Sequence, residues 1–156
     1  MVMRNWILLI LISASVVLIG CEQAPTPEEQ LEIDTLLIED YVNTENLDGF
    51  FTPNGIFVSI SKEGEGEETP NRTSTVEVVY TGKFLNGDVF DTSNGLSTEF
   101  AVFQVIQGWQ EGLEYFKKGS EGTLIIPSRW AYGPRGRGSI PPDAVLLFEM
   151  ELLNFR

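Results

Sequence analysis

Histidine is absent from this chain, and cysteine occurs once, at Cys21. Without histidine there is no Ser-His triad, no His-ligated zinc and no imidazole general base. One cysteine excludes a disulfide within the chain and a Cys-rich metal site. Cationic residues are scarce as well: 10 Lys and Arg face 23 Asp and Glu, a formal charge of −13. Such a surface repels phosphate backbones, so nucleic acid is not an expected partner. A phosphate-binding P-loop is also missing, because Gly82-Lys83 has Glu77 where that motif needs its first glycine. Neither a metal nor a cofactor is expected.

Long apolar runs are missing too. The longest, Trp6 to Ile19, is 14 residues broken by Ser13 and Ser15, short of the roughly 20 needed to span a bilayer. Arg4 is the only side-chain positive charge before it, and Leu18-Ile19-Gly20-Cys21 closes it. That ending resembles a bacterial lipoprotein signal, with a transmembrane anchor and incidental cysteine as the alternative. The expectation is removal of residues 1–20 and diacylglycerol attachment to the Cys21 sulfur, which takes the thiol out of catalysis. The protein is then expected to be lipid-anchored to the cell envelope, at the outer membrane facing the periplasm or the cell surface. Glu22 stands where some bacteria use an aspartate for inner-membrane retention. Loss of Arg4 leaves 9 cationic residues against 23 acidic ones, a net charge of −14, so attachment rests on the lipid rather than a basic patch.

Residues 21–26 read as a tether, 27–55 as an N-terminal helical extension and 56–156 as the main domain. Thr26-Pro27-Glu28-Glu29 has the composition of a helix start, with Thr26 as cap, Pro27 at the first position and Glu29 as capping-box partner. Leu31, Ile38 and Val42 fall on one face, with Ile33, Leu37 and Tyr41 beside it. The expectation is a helix from Pro27 to about Asn43 packed on the domain of a monomer, with dimerisation as an alternative role. Ile56, Val58 and Ile60 alternate as in a strand, and 63–75 is a polar loop. Val76 to Leu85 is a second strand, turned at Asn86-Gly87 into a return strand over Asp88 to Asp91. Trp109, Leu113 and Phe116 share one face of a helix expected over 109–118, with Lys117 and Lys118 at its negative end and Gly119 closing it. Thr123 to Ile126 and Val145 to Leu153 supply further strands. The fold class is therefore α+β, an antiparallel sheet wrapped around one short helix, with an added N-terminal helix.

Several fragments then recur in order: Val78-Val79-Tyr80-Thr81-Gly82, Phe90-Asp91, Val105-Ile106-Gln107-Gly108-Trp109, Ala131-Tyr132-Gly133, Ile140-Pro141-Pro142-Asp143-Ala144 and Phe148-Glu149-Met150-Glu151-Leu152-Leu153. The series closely resembles the FKBP-type peptidyl-prolyl cis-trans isomerases, over about half the chain. The resemblance implies a half-barrel with an apolar pocket for a proline ring. It makes Trp109 the floor, and Tyr80, Phe90, Phe100, Val105, Ile106, Ile140 and Phe148 the walls. It also implies that Tyr132 donates its hydroxyl to a substrate carbonyl and that the Ile106 N–H binds another. Asp91 is the one acid carried over, either acting on the rotating carbonyl or orienting neighbouring donors. Leu96 stands where members often carry an arginine able to pair with that acid, and Val79 replaces a usual histidine. The implied partners are proline-containing unfolded or partly folded polypeptides. A catalytically weak holding or partner-binding module is the alternative from another class. Taken alone, Trp109 and the phenylalanines are ordinary core residues, and Arg135 and Arg137 are solvated loop charges.

Overall fold

The computed structural model describes residues 24–156, so the signal and Cys21 lie outside the described residues. Helix α1 spans Pro27–Thr44 and helix α2 spans Gln107–Gly112. The strands are β1 Phe50–Phe51, β2 Phe57–Lys62, β3 Thr75–Lys83, β4 Val89–Thr92, β5 Thr98–Ala101, β6 Glu121–Ile126 and β7 Leu146–Phe155. They form one antiparallel sheet in the order β1-β2-β6-β7-β3-β4, with β5 also on β3. The outer edge of β3 is shared. Its first half, Thr75 to Val78, pairs with β5, and its second half, Thr81 to Lys83, pairs with β4.

Side-chain alternation puts two apolar layers on this sheet. Val58, Val78, Leu124, Ile126, Leu146, Phe148, Met150 and Leu152 point to one face, where Trp109, Leu113 and Phe116 cover them. Phe57, Ile125, Val145 and Leu147 point to the other, where Ile38 of α1 covers them with Tyr41 and Val42 alongside. Both faces are buried at residues 124–126 and 145–148, which is why these stretches read as continuous apolar runs. Beyond them, Glu149 and Glu151 alternate with Met150 and Leu152.

Helix α1 starts as its sequence requires. The Thr26 hydroxyl accepts from the Glu29 N–H at 3.2 Å, and the Glu29 carboxylate accepts from the Thr26 N–H at 2.8 Å. That hydrogen bonding to Thr26 holds the Glu29 carboxyl below its usual range. The apolar face narrows relative to expectation: Ile33 and Leu37, with Leu36, remain exposed, while Asp34 is buried with Ile38.

Helix α2 is shorter than its periodicity suggests. The three expected core residues are buried, but α-helix ends at Gly112 and a 3-10 turn over Leu113–Tyr115 brings Phe116 into extended backbone. Lys117 and Lys118 therefore lie beyond the helix. Ser120 accepts from the Lys117 N–H at 3.0 Å, and the left-handed Gly119 turns the chain into β6. The same glycines that weaken the helix let it sit close to the sheet. A Cβ at Gly108 would collide with Ile126, and one at Gly112 with Leu124.

Candidate functional site

The strands and α2 surround a cavity of about 620 Å³, within the usual size of a small-molecule site. Trp109 lies at its base, 4 % exposed. Three rings meet the indole nearly perpendicularly: Tyr80 at 5.3 Å, Phe100 at 5.7 Å and Phe148 at 5.1 Å between centroids. Such edge-to-face contacts align the positive edge of one ring with the negative face of the next. Trp109 Nε1 is the one buried side-chain polar atom without a hydrogen-bond partner among the described residues, so apolar packing rather than a hydrogen bond holds this ring.

Gly82 explains how two more rings fit. It shares the inward face of β3 with Tyr80, and a Cβ there would approach the Phe90 ring to 2.7 Å and Phe148 to 3.0 Å. The missing side chain makes room for Phe90 to meet Phe148 edge-on at 5.6 Å. The apolar wall continues through Val105, Ile106 and Ile140. Gln110 fixes part of it by donating to the Val105 carbonyl at 2.8 Å. Ile106 is the N-cap of α2, at φ −57° and ψ 151°, so its own N–H stands outside the helical ladder.

Polar groups enter from two sides. On β4, one Asp91 oxygen accepts from the Tyr80 hydroxyl at 2.9 Å and the other from the Thr92 N–H at 2.9 Å. Leu96 is 70 % exposed, and these two donors stand in for the arginine missing there. Burial first, and then the hydrogen bond to Asp91, push the Tyr80 hydroxyl up to about 12. Tyr80 therefore stays protonated and continues to donate at any physiological pH. Each Asp91 oxygen thus accepts one hydrogen bond from a neighbour, and one of these orients the Tyr80 hydroxyl.

On the opposite side, a 3-10 turn over Ser128–Trp130 delivers Tyr132 to the cavity. A glycine-rich loop follows, closed by reciprocal backbone hydrogen bonds of 2.9 Å between Arg137 and Ile140. A Cβ at Gly136 would strike the Ile140 carbonyl, so the loop needs glycine there. The loop also gives Arg137 a contact that the sequence did not suggest. It stays exposed, as expected of a loop charge, but also lines the cavity with its guanidinium 5.4 Å over the Tyr132 ring, a cation–π distance. Gln104, Gly138 and Ser139 line the cavity as well. Nothing in periodicity singles out these four; the Arg137–Ile140 closure brings three of them to the rim, and the 3-10 turn over Val102–Gln104 brings Gln104. Tyr80, Phe90, Asp91, Phe100, Val105, Ile106, Trp109, Tyr132, Ile140 and Phe148 all line the same space. Among the described residues, no group of three or more His, Cys, Asp or Glu is arranged to hold a metal ion.

Comparison with known proteins gives a consistent picture. Residues 66–153 match the family model described as FKBP-type peptidyl-prolyl cis-trans isomerase. The FKBP-type 22 kDa peptidyl-prolyl cis-trans isomerase of Escherichia coli is 48% identical over 106 residues, covering 66% of this chain and 51% of its own. The crystal structure of FkpA from Escherichia coli superposes with a TM-score of 0.71 at 32% identity, covering 83% of this chain and 62% of that one. That of a peptidyl-prolyl cis-trans isomerase from Pseudomonas syringae gives 0.69 at 32% identity, covering 85% and 97%. The chain spans about half the length of the first curated relatives it matches.

Proposed function

Because the chain belongs to the FKBP-type peptidyl-prolyl cis-trans isomerases, we propose that it catalyses cis-trans exchange of X-Pro bonds in proline-containing, unfolded or partly folded exported polypeptides. The observation that carries this reading is the Trp109 floor walled by perpendicular aromatic rings beside Tyr132. Rotation about an amide is opposed by a barrier of about 18–20 kcal/mol, because resonance is lost. The planar amide is the more dipolar form, so water stabilises the ground state more than the twisted one. A dry aromatic cavity removes that solvation and binds the twisted form better, which lowers the barrier without a nucleophile. In this reading the proline ring rests on Trp109, and the Tyr132 hydroxyl and Ile106 N–H hold flanking carbonyls. Asp91 fixes the Tyr80 hydroxyl in the wall. Apolar residues before proline are preferred, since Phe90, Ile106 and Phe148 border that position.

Exchange of a short X-Pro peptide, followed by NMR or protease coupling, tests the reading. Uncatalysed exchange takes about 10–100 s at 25 °C, so acceleration is directly visible. Tyr132→Phe keeps the ring and deletes one hydrogen bond, with a net effect of about 0.5–1.5 kcal/mol. The expected result is a fall of about twofold to tenfold in kcat/KM, with unfolding free energy nearly unchanged. A wild type that binds a proline peptide without accelerating exchange would make a holding module the better description.

A lipid anchor completes the reading. The short apolar run ending in Leu18-Ile19-Gly20-Cys21 supports acylation at Cys21 and attachment to the cell envelope, at the outer membrane. Mass spectrometry of membrane-extracted protein is expected to find Cys21 as the lipidated N-terminus. An unmodified thiol behind an intact signal would defeat the assignment.

A further inference from the structure

A carboxylate that solvent does not reach joins the N-terminal helix to the loop of Tyr132. Asp34 of α1 is 0 % exposed. One of its oxygens accepts from both the N–H and the hydroxyl of Ser128, at 2.7 and 2.6 Å, and the other accepts from Gln30 Nε2 at 2.8 Å. A charge taken out of water persists only where donors replace the solvent. These three do so, and two of them come from one residue on the far side of the chain. An apolar side chain would serve packing alone at this position. A hydrogen-bonded carboxylate instead fixes one geometry, because a misplaced partner leaves buried polar atoms unsatisfied.

Ser128 opens the turn that leads into the cavity. Trp130 N–H donates to the Pro127 carbonyl at 3.0 Å and Ala131 N–H to the Ser128 carbonyl at 2.9 Å, so a constraint at Ser128 passes along the turn to the residue before Tyr132. The segment is tied down twice more. Trp130 Nε1 donates to the Asn54 carbonyl at 2.8 Å, and Arg129 lies 3.4 Å from Glu28 of α1. Helix α1 covers the sheet face opposite α2 and the aromatic floor. Its one buried charge is nonetheless spent on the turn that feeds the cavity.

We propose that Asp34 is a positioning residue for isomerisation, clamping the Ser128 turn so that the Tyr132 hydroxyl is held in register with the bound peptide. The proposal rests on the isomerase reading and on Tyr132 as a donor to substrate. It makes α1 part of the site's construction rather than an appendage.

The test is a double-mutant cycle on the full chain, reading kcat/KM for an X-Pro peptide. Asp34→Asn keeps the shape but replaces the charge-assisted bonds to Ser128 by weaker neutral ones and sets its NH2 against the Gln30 amide. Ser128→Ala removes only the hydroxyl bond. Tyr132→Phe provides the second background, and near-UV circular dichroism reports the folded state of each variant. Asp34→Asn is expected to lower kcat/KM about threefold to tenfold in the wild-type background and less than twofold in the Tyr132→Phe background. Ser128→Ala should show a smaller loss with the same dependence, and it carries the test alone if Asp34→Asn does not fold. Equal losses in both backgrounds, or none in either, would overturn the positioning role while leaving the isomerase reading intact. A wild type without exchange removes that reading and the proposal together.

Discussion

Trp109→Ala is expected to damage stability and activity together, by separable amounts. The indole is 4 % exposed and packed by three rings, and truncating such a side chain costs about 3–5 kcal/mol. Against a typical domain stability of about 5–15 kcal/mol, the variant keeps a folded population at low temperature. There the loss of function can be measured on folded protein. If three proline ring methylenes rest on the indole, their burial is worth about 0.8 kcal/mol each, or about 2.4 kcal/mol together. That corresponds to a fall of up to about fiftyfold in kcat/KM. Urea unfolding gives the first quantity, and an exchange assay corrected for folded fraction gives the second. Unchanged kcat/KM in the folded variant would remove Trp109 from the site and leave it only in the core.

Gly122→Ala should unfold more protein than its single added methyl suggests. Gly122 is the second residue of β6, paired with Ile60 on one side and Met150 on the other. A Cβ at this position would collide with the Ser59 carbonyl oxygen and come within 2.9 Å of the Phe116 ring. The carbonyl belongs to the neighbouring strand and cannot rotate away, so relief requires parting β2 from β6. Overpacking of a well-filled core costs about 1–3 kcal/mol, occasionally more; backbone collision puts this variant at the upper end, about 3 kcal/mol. Gly87→Ala is the comparison, because its Cβ meets nothing within 4 Å and only its φ of +90° opposes the change. A melting-temperature drop at Gly122 no larger than at Gly87 would refute the clash.

Thr26, Pro27 and Glu29 specified the start of α1 by themselves, because a capping box is completed within four consecutive residues. The strand cores and the inward set Trp109, Leu113 and Phe116 were equally legible, since periods of 2 and 3.6 are local properties of the chain. The same logic overextended α2. Its periodicity runs on past Gly112, but contact with Leu124 and Ile126 and the turn into β6 end it early. Strands β1 and β5, two and four residues long, carry too little pattern to register. They exist because β2 and β3 offer them an edge.

The ordered fragments from Val78 to Leu153 led to the expectation of one aromatic cavity only through their resemblance to the FKBP-type isomerases, since taken alone each ring reads as ordinary core. Only the tertiary structure decided what fills the second face of the sheet. Ile125 and Leu147 sit in unbroken apolar runs that do not say which layer covers them, and α1 does so through Ile38. It also decided the fates of three charges. Asp91 is bound to Tyr80, Arg137 stacks on Tyr132, and Asp34 is buried against Ser128, 94 residues away in the chain. A charged side chain reads as solvated in sequence because exposure is the common outcome. Asp34 is the exception, and its burial depends on donors brought together by folding, which no local pattern records. Asp91 and Arg137 keep their exposure while gaining a partner hydroxyl or ring.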